Sequence, residues 1–299
     1  MAVRTHRRAD RPRMLLCATL SSLAGYPRKD REWSLERKIA EVRRAGFDGY
    51  MGKVPPLTPE VVARHGLPCW ANQDLGSPAE VKPALQRLKA TGVDVVNTQV
   101  GDHDTPVSVS VRLARHIMRV ADELAMDVSI EMHRDTGTET PEKTFAIADG
   151  YQKAEGRLLK LNFDFSHFAL TKGLRPPFYE RLAVRPDLVQ AANQIHLRPF
   201  NGHHCQIPVI DHRGKPTPEF GDWLEFVDQL FALWLAGAAP GRVLWACPEM
   251  IGGAYGLSVF PNNWVQAKVI AGELRTRWAR RVRAWQPSQA AALAESVAS

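Results

Sequence analysis

The 299-residue chain has little of what marks several protein classes. Its four cysteines, Cys17, Cys69, Cys205 and Cys247, show no paired spacing of the kind that makes a zinc knuckle or a redox motif. Three of them sit in apolar, strand-like runs, so reduced core residues of a cytosolic protein are expected. No apolar run approaches the ~18 residues of a membrane span. The run Met14 to Gly25 follows a basic stretch and superficially copies a signal peptide. It contains Thr19, Ser21 and Ser22, which makes it a poor hydrophobic core, and a cytoplasmic location is expected. A glycine-rich phosphate loop is missing as well. The segment after the first apolar run reads Ser21-Ser22-Leu23-Ala24-Gly25-Tyr26-Pro27, with neither GxGxxG nor a Walker sequence, which disfavours nucleotide binding.

Net positive charge is confined to the two ends. The formal net charge is +7, yet Arg4, Arg7, Arg8, Arg11 and Arg13 at one end and Arg275, Arg277, Arg280, Arg281 and Arg283 at the other exceed that surplus between them. The body is therefore nearly neutral, which is weak ground for a surface that tracks DNA, and no nucleic-acid partner is expected. With 44% hydrophobic and 24% charged residues the chain is an ordinary packed globule, which excludes disorder and a collagen-like chain.

What is present is an alternation. Short β-branched or apolar runs at Met14–Leu20, Asp48–Gly52, Leu67–Gln73, Asp94–Val100, Asp127–His133, Leu159–Phe165, Gln194–Phe200 and Arg242–Glu249 read as strands. Amphipathic stretches at Glu32–Ala45, Thr58–His65, Pro78–Thr91, Val107–Ala125, Pro141–Lys153, Pro176–Ala183, Gly221–Ala236 and Asn262–Arg283 read as helices. Thr58-Pro59, Ser77-Pro78 and Thr140-Pro141 each place a capping residue before a proline at the first helical position. Eight βα units with no dividing linker predict an α/β fold, a single (β/α)8 TIM barrel over residues 14–285. Residues 1–13 are expected to form a basic, disordered tail and residues 286–299, rich in Ala and Ser, a second one. Trp70, Trp245 and Trp264 are expected in the core, and Trp223, Phe226, Leu230 and Leu233 have the spacing of a buried helix face.

The strands of a barrel should be apolar inside, so ionisable residues at their carboxyl ends carry information. Strand 5 ends Glu131-Met132-His133, strand 6 ends Asp164-Phe165-Ser166-His167, strand 7 ends His196-Leu197-Arg198 and strand 8 ends Cys247-Pro248-Glu249. Four consecutive strands thus direct acids and imidazoles at one mouth, a costly arrangement that a bound divalent cation would compensate. Two Glu, one Asp and one His make an oxygen-rich set, suited to Mn2+, Mg2+ or Co2+ before Zn2+. Period-2 geometry places Glu131 with His133, and His196 with Arg198, on shared faces. Gln99, Asn97, Asn72, Gln73 and Lys53, at or after earlier strand ends, are candidate hydroxyl binders. His203, His204, Asp211 and His212 occupy a long segment after strand 7 that could form a wall of the mouth or a solvated surface.

The pattern of Glu at strand 5, Asp-x-x-His at strand 6, His at strand 7 and Glu at strand 8 resembles the xylose isomerase-like TIM barrel superfamily of sugar phosphate isomerases and epimerases. Within it the ketose 3-epimerases and hydroxypyruvate isomerase-like proteins look closest. The resemblance implies Glu131, Asp164, His196 and Glu249 as ligands of one divalent metal ion, with Glu131 and Glu249 as the acid/base pair. It also implies substrate contacts from His167 and Arg198, to which strand parity adds His133. The implied activity is metal-dependent isomerisation or epimerisation, through an enediolate, of a small polyhydroxylated hydroxy-carbonyl compound in carbohydrate metabolism. Homo-oligomer formation is left open. Two segments, Glu131 to Thr140 and His203 to Phe220, depart from the ketose epimerases and leave the substrate open. A metal-dependent dehydratase or lyase of the 3-dehydroshikimate dehydratase kind is the nearest alternative. Endonuclease IV-like repair nucleases need further histidines on the early strands and an Asp-x-His pair after strand 7. Here those strands end in Asn and Gln, and Asp211-His212-Arg213 lacks the spacing.

Overall fold

The computed structural model describes residues 11–287, and eight parallel strands close into one barrel in sequence order. The strands are β1 (Arg13–Thr19), β2 (Gly49–Gly52), β3 (Cys69–Asn72), β4 (Val95–Thr98), β5 (Asp127–Glu131), β6 (Leu161–Asp164), β7 (Gln194–His196) and β8 (Val243–Cys247). Closure is made where Leu15 of β1 lies beside Trp245 of β8. The helices are α1 (Leu35–Arg44), α2 (Pro59–His65), α3 (Pro78–Ala90), α4 (Val107–Glu123), α5 (Pro141–Glu155), α6 (Phe165–Thr171), α7 (Tyr179–Leu182), α8 (Pro186–Ala191), α9 (Pro218–Ala236) and α10 (Asn263–Ala284). The expected caps form: the Thr58 and Thr140 hydroxyls accept from Val61 N and Lys143 N, and Ser77 with Glu80 makes a capping box.

Apolar residues divide between two places. Cys17, Met51, Trp70, Val95 and Cys247 fill the lumen, with Trp245 packed against them. The larger cluster lies between the strands and the helix ring, where α9 buries Trp223, Phe226, Leu230 and Trp234. All four cysteines are buried and free. No helix among the described residues is long and apolar enough to cross a membrane.

Seven of the eight strands are shorter than the apolar runs, because hydrogen-bonded pairing stops before the alternation does. His133 and Arg198 therefore stand on loops just beyond β5 and β7. Strand 6 was expected to run to Phe165. Instead Asp164 turns the chain: its Oδ1 accepts from Ser166 N at 3.0 Å and Ser166 Oγ at 2.5 Å, which caps α6. The helix expected at Pro176–Ala183 is a single turn, α7, and a separate helix α8 begins at Pro186. Much of the expected basic tail, residues 1–10, lies outside the described residues, as do residues 288–299 of the other tail. Arg13 itself opens β1, and Arg11 donates to the Val282 carbonyl at 3.2 Å. Four of the five arginines of α10 have acidic neighbours: Arg280 and Arg281 pair with Asp228, Arg275 with Asp48 at 3.2 Å, and Arg277 with Glu273 at 3.7 Å.

Candidate active site

Each strand of the second half of the barrel contributes one group at its carboxyl end. Glu131, Asp164 and His196 are the last residues of β5, β6 and β7, and Glu249 lies two residues beyond β8. The register sets Asp164 beside His196 and His196 beside Cys247, so the side chains converge across neighbouring strands. One candidate ligand atom from each of the four lies within 4.8 Å of the others, and all four residues are buried.

The cluster is held from below by amides. Asn97 Nδ2 and Gln99 Nε2 donate to Glu131 Oε2 at 2.7 and 2.9 Å, while Glu131 Oε1 faces His196 Nδ1 at 2.8 Å. Asn97 also donates to Asn72 Oδ1 at 3.0 Å and accepts from Asn162 Nδ2 at 2.8 Å, and Asn162 Oδ1 in turn accepts from the His196 amide at 3.1 Å. Asn97 and Gln99, expected as hydroxyl binders, both donate to a carboxylate, and Gln99 also borders the cavity above. Asn162 escaped the sequence reading, although a polar residue two positions before Asp164 on a strand shares its face and is a usable signal.

Charge sets the protonation of these groups. Burial raises the Glu131 carboxyl, but the charge and hydrogen bond of His196 outweigh it and hold the group well below the usual carboxylate range. Burial likewise opposes ionisation of Asp164, and Arg198 and His167 reverse the balance in the same direction. His196 is lowered by burial and lifted by Glu249 and Glu131, the net result being a rise to about 9. His167 goes the other way, with burial pressing it below its ordinary value.

Arg198 lies fully inside this acidic pocket. Its Nη2 pairs with Glu249 and lies 3.3 Å from Asp164 Oδ2, while Nε and Nη1 have no hydrogen-bond partner among the described residues. Tyr255, in the turn after β8, covers the guanidinium with its ring 4.3 Å away and reaches His133 Nε2 at 2.9 Å. Nothing in the sequence singled Tyr255 out, because it falls in a glycine-rich segment without periodicity. His133 lines the cavity, whereas His167 is wholly buried beneath it, with ring centroids 4.1 Å apart. The segment from Glu131 to Thr140 is pinned locally: Thr138 Oγ1 donates to the Glu131 carbonyl at 2.5 Å and Thr136 Oγ1 to that of His133 at 2.6 Å.

The donor chemistry fits a divalent cation. Among the described residues Asp164 Oδ2 and His196 Nε2 are buried without a hydrogen-bond partner, and three carboxylates and one imidazole present hard oxygen with a single nitrogen. Above the cluster opens a cavity of about 580 Å3, lined by Glu131, His133, Arg198, Glu249 and Tyr255 on one side and by residues of the β1 and β2 ends on the other.

No protein-family model matches the chain, and no curated protein does. Solved structures do. A D-allulose 3-epimerase from Methylomonas sp. in complex with D-allulose superposes with a TM-score of 0.58 at 14% identity, covering 92% of this chain and 100% of that one. A xylose isomerase-like TIM barrel protein from Mycobacterium smegmatis in complex with magnesium gives 0.56 at 15%, covering 88% and 97%. A protein from Bacillus anthracis described as the "probable 3-DHS dehydratase" of petrobactin synthesis gives 0.54 at 14%, covering 86% and 98%. The chain therefore shares its (β/α)8 fold with these three proteins, one described as a D-allulose 3-epimerase and one as a probable 3-DHS dehydratase.

Proposed function

We propose that this protein is a divalent-metal-dependent isomerase or epimerase acting on a small sugar-like hydroxy-carbonyl compound. The observation that carries the reading is the convergence of Glu131, Asp164, His196 and Glu249, one ligand atom each within 4.8 Å, at the floor of a cavity large enough for such a substrate. Those four residues would hold Mn2+, Mg2+ or Co2+. When bound, the cation polarises adjacent carbonyl and hydroxyl oxygens and acidifies the C–H between them.

The remaining work falls to this chain's own groups. Glu131 and Glu249 both border the cavity, and both lie against His196, at 2.8 and 3.4 Å. From strands three apart they flank a substrate placed between them, so one removes the proton and the other returns it. Asn97 and Gln99 occupy Glu131 Oε2 and thereby set which oxygen faces the site. The free Nε and Nη1 of Arg198 are donors for substrate oxygens, and His133 stands beside them at the cavity wall. No nicotinamide is needed.

The test is exchange chemistry. Mn2+-loaded protein incubated in D2O with a panel of ketoses and hydroxypyruvate should place deuterium on the carbon that changes configuration or oxidation level. Turnover with complete retention of the original hydrogen would overturn the proton-transfer mechanism. An unsaturated product would replace it with the dehydratase reading, since the same acidified C–H also serves elimination.

A further inference from the structure

The cavity wall is divided by chemistry. The half formed by β3 to β8 presents Asn72, Gln99, Glu131, His133, Arg198 and Glu249. The half formed by the ends of β1 and β2 and the first turn of α1 presents Leu20, Leu35, Met51, Pro55, Pro56 and Leu57, interspersed with Thr19, Ser21, Lys38 and Lys53. This apolar half is closely built. A side-chain carbon at Gly52 would come within 2.9 Å of Leu57 and 3.1 Å of Leu20, so both leucines press onto the bare backbone of β2. Its charged groups do not form an anion site: Lys38 is paired with Glu32, and Lys53 stands exposed at a rim that also carries Asp74.

A free monosaccharide suits only one half of such a cavity. It carries hydroxyls along its whole length, and those facing Leu20, Leu35, Leu57 and the two prolines would give up water without gaining a partner. The volume, about 580 Å3, lies in the range of pockets that enclose drug-sized ligands.

Resting on the metal-dependent reading above, we propose that the substrate is amphipathic: a hydroxy-carbonyl head held at the Glu131–Glu249 end and a neutral apolar group, of the aryl or alkyl glycoside class, seated on the β1–β2 side. Recognition is then shared between polar groups that select the reacting carbons and an apolar surface that selects the substituent.

Hydroxamates separate the two halves, because one chelating head can carry different tails. Acetohydroxamate and 4-phenylbutanohydroxamate are titrated calorimetrically into Mn2+-loaded protein. The phenyl compound should bind about 10-fold tighter or better, the advantage of burying one ring on an apolar wall. Leu35→Gln should remove most of that advantage and leave acetohydroxamate binding and Mn2+ affinity unchanged. Pro56→Ser, on an exposed loop, provides the same test if Leu35→Gln does not fold. Equal affinities for the two hydroxamates, or an advantage untouched by both substitutions, would overturn this inference alone. Failure of the protein to take up Mn2+ would overturn the metal-dependent reading and this inference with it.

Discussion

The two ends of the barrel treat polar groups in opposite ways. At the amino-terminal end most are matched within the protein, Gln194 Oε1 being an exception. Asp127 meets Lys160 at 2.7 Å and Asn193 at 3.2 Å, Asp48 accepts from the Leu16 amide at 2.8 Å, and Arg242 donates to the Ala192 carbonyl at 2.8 Å and Asn193 Oδ1 at 3.1 Å. At the carboxyl end, among the described residues, Asp164 Oδ2, His196 Nε2, both nitrogens of His167 and two nitrogens of Arg198 are buried with no hydrogen-bond partner, with His167 Nε2 and Arg198 Nη2 at ion-pair distances of 3.4 and 3.3 Å from Asp164 Oδ2. Matched groups need nothing further and contribute to stability. Buried groups left open cost free energy, and such a cost is retained where a ligand completes them. The contrast separates a base that holds the barrel together from a mouth built to bind.

The contrast is open to attack at both ends. The largest effect is expected from Glu249→Ala, which removes one of four proposed ligands. Mn2+ affinity, followed by titration of the apoprotein, should fall more than about 100-fold, beyond the loss typical of a residue that only supports a ligand. Asn97→Ala tests such support. It should lower Mn2+ affinity or turnover by ~10–100-fold, because Glu131 loses the donor that fixes its orientation. Arg198→Gln is expected to raise KM by about 10-fold without lowering metal affinity, since it takes a cation away from Glu249 and Asp164. A fall in metal affinity would make the arginine an organiser of the metal centre rather than a substrate contact.

At the base the readout should change from binding to stability. Arg242→Ala takes its donor from the Gln190 carbonyl and from Asn193 Oδ1, while the Ala192 carbonyl keeps Trp234 Nε1, and denaturant unfolding should show a loss of ~1–3 kcal/mol with metal affinity unchanged. The smallest effect belongs to Asp228, on α9 against α10. Burial alone would raise its carboxyl, but Arg281 and Arg280 outweigh this and leave it below the ordinary value. A group depressed on folding stabilises the protein fully above its unfolded pKa of about 3.9, and the contribution fades as pH falls through the lower folded value. Asp228→Asn should therefore cost up to ~1 kcal/mol at pH 7 and converge with the parent protein in strong acid. A difference that persists in acid would assign the effect to packing instead.

Legibility followed the physical range of each signal. Periodicity is local, and the barrel topology was readable from the alternation of runs with capped, amphipathic stretches. The ends of those runs were less so. Asp164 stands at the carboxyl end of an apolar run, but its capping of α6 depends on Ser166 and on where pairing with β7 stops. The four candidate ligands were legible because a charged residue at the end of a buried strand is expensive wherever the chain goes next. Asn97 and Gln99 looked like free hydrogen-bonding groups, since a strand end by itself does not say which neighbour lies across the mouth. Tyr255 left no trace because a single aromatic residue in an irregular, glycine-rich loop has no pattern to betray it.

The sequence by itself determined the parallel (β/α)8 order, the burial of the α9 stripe and the set of acids and imidazoles assigned to one rim, because each rests on spacing within a few residues. Tertiary structure decided that Arg198 sits among those acids, that Asn97 links Asn72, Glu131 and Asn162, and that an apolar wall from β1 and β2 faces the cluster. These relations join residues far apart in the chain, and only closure of the barrel fixes the distances between them.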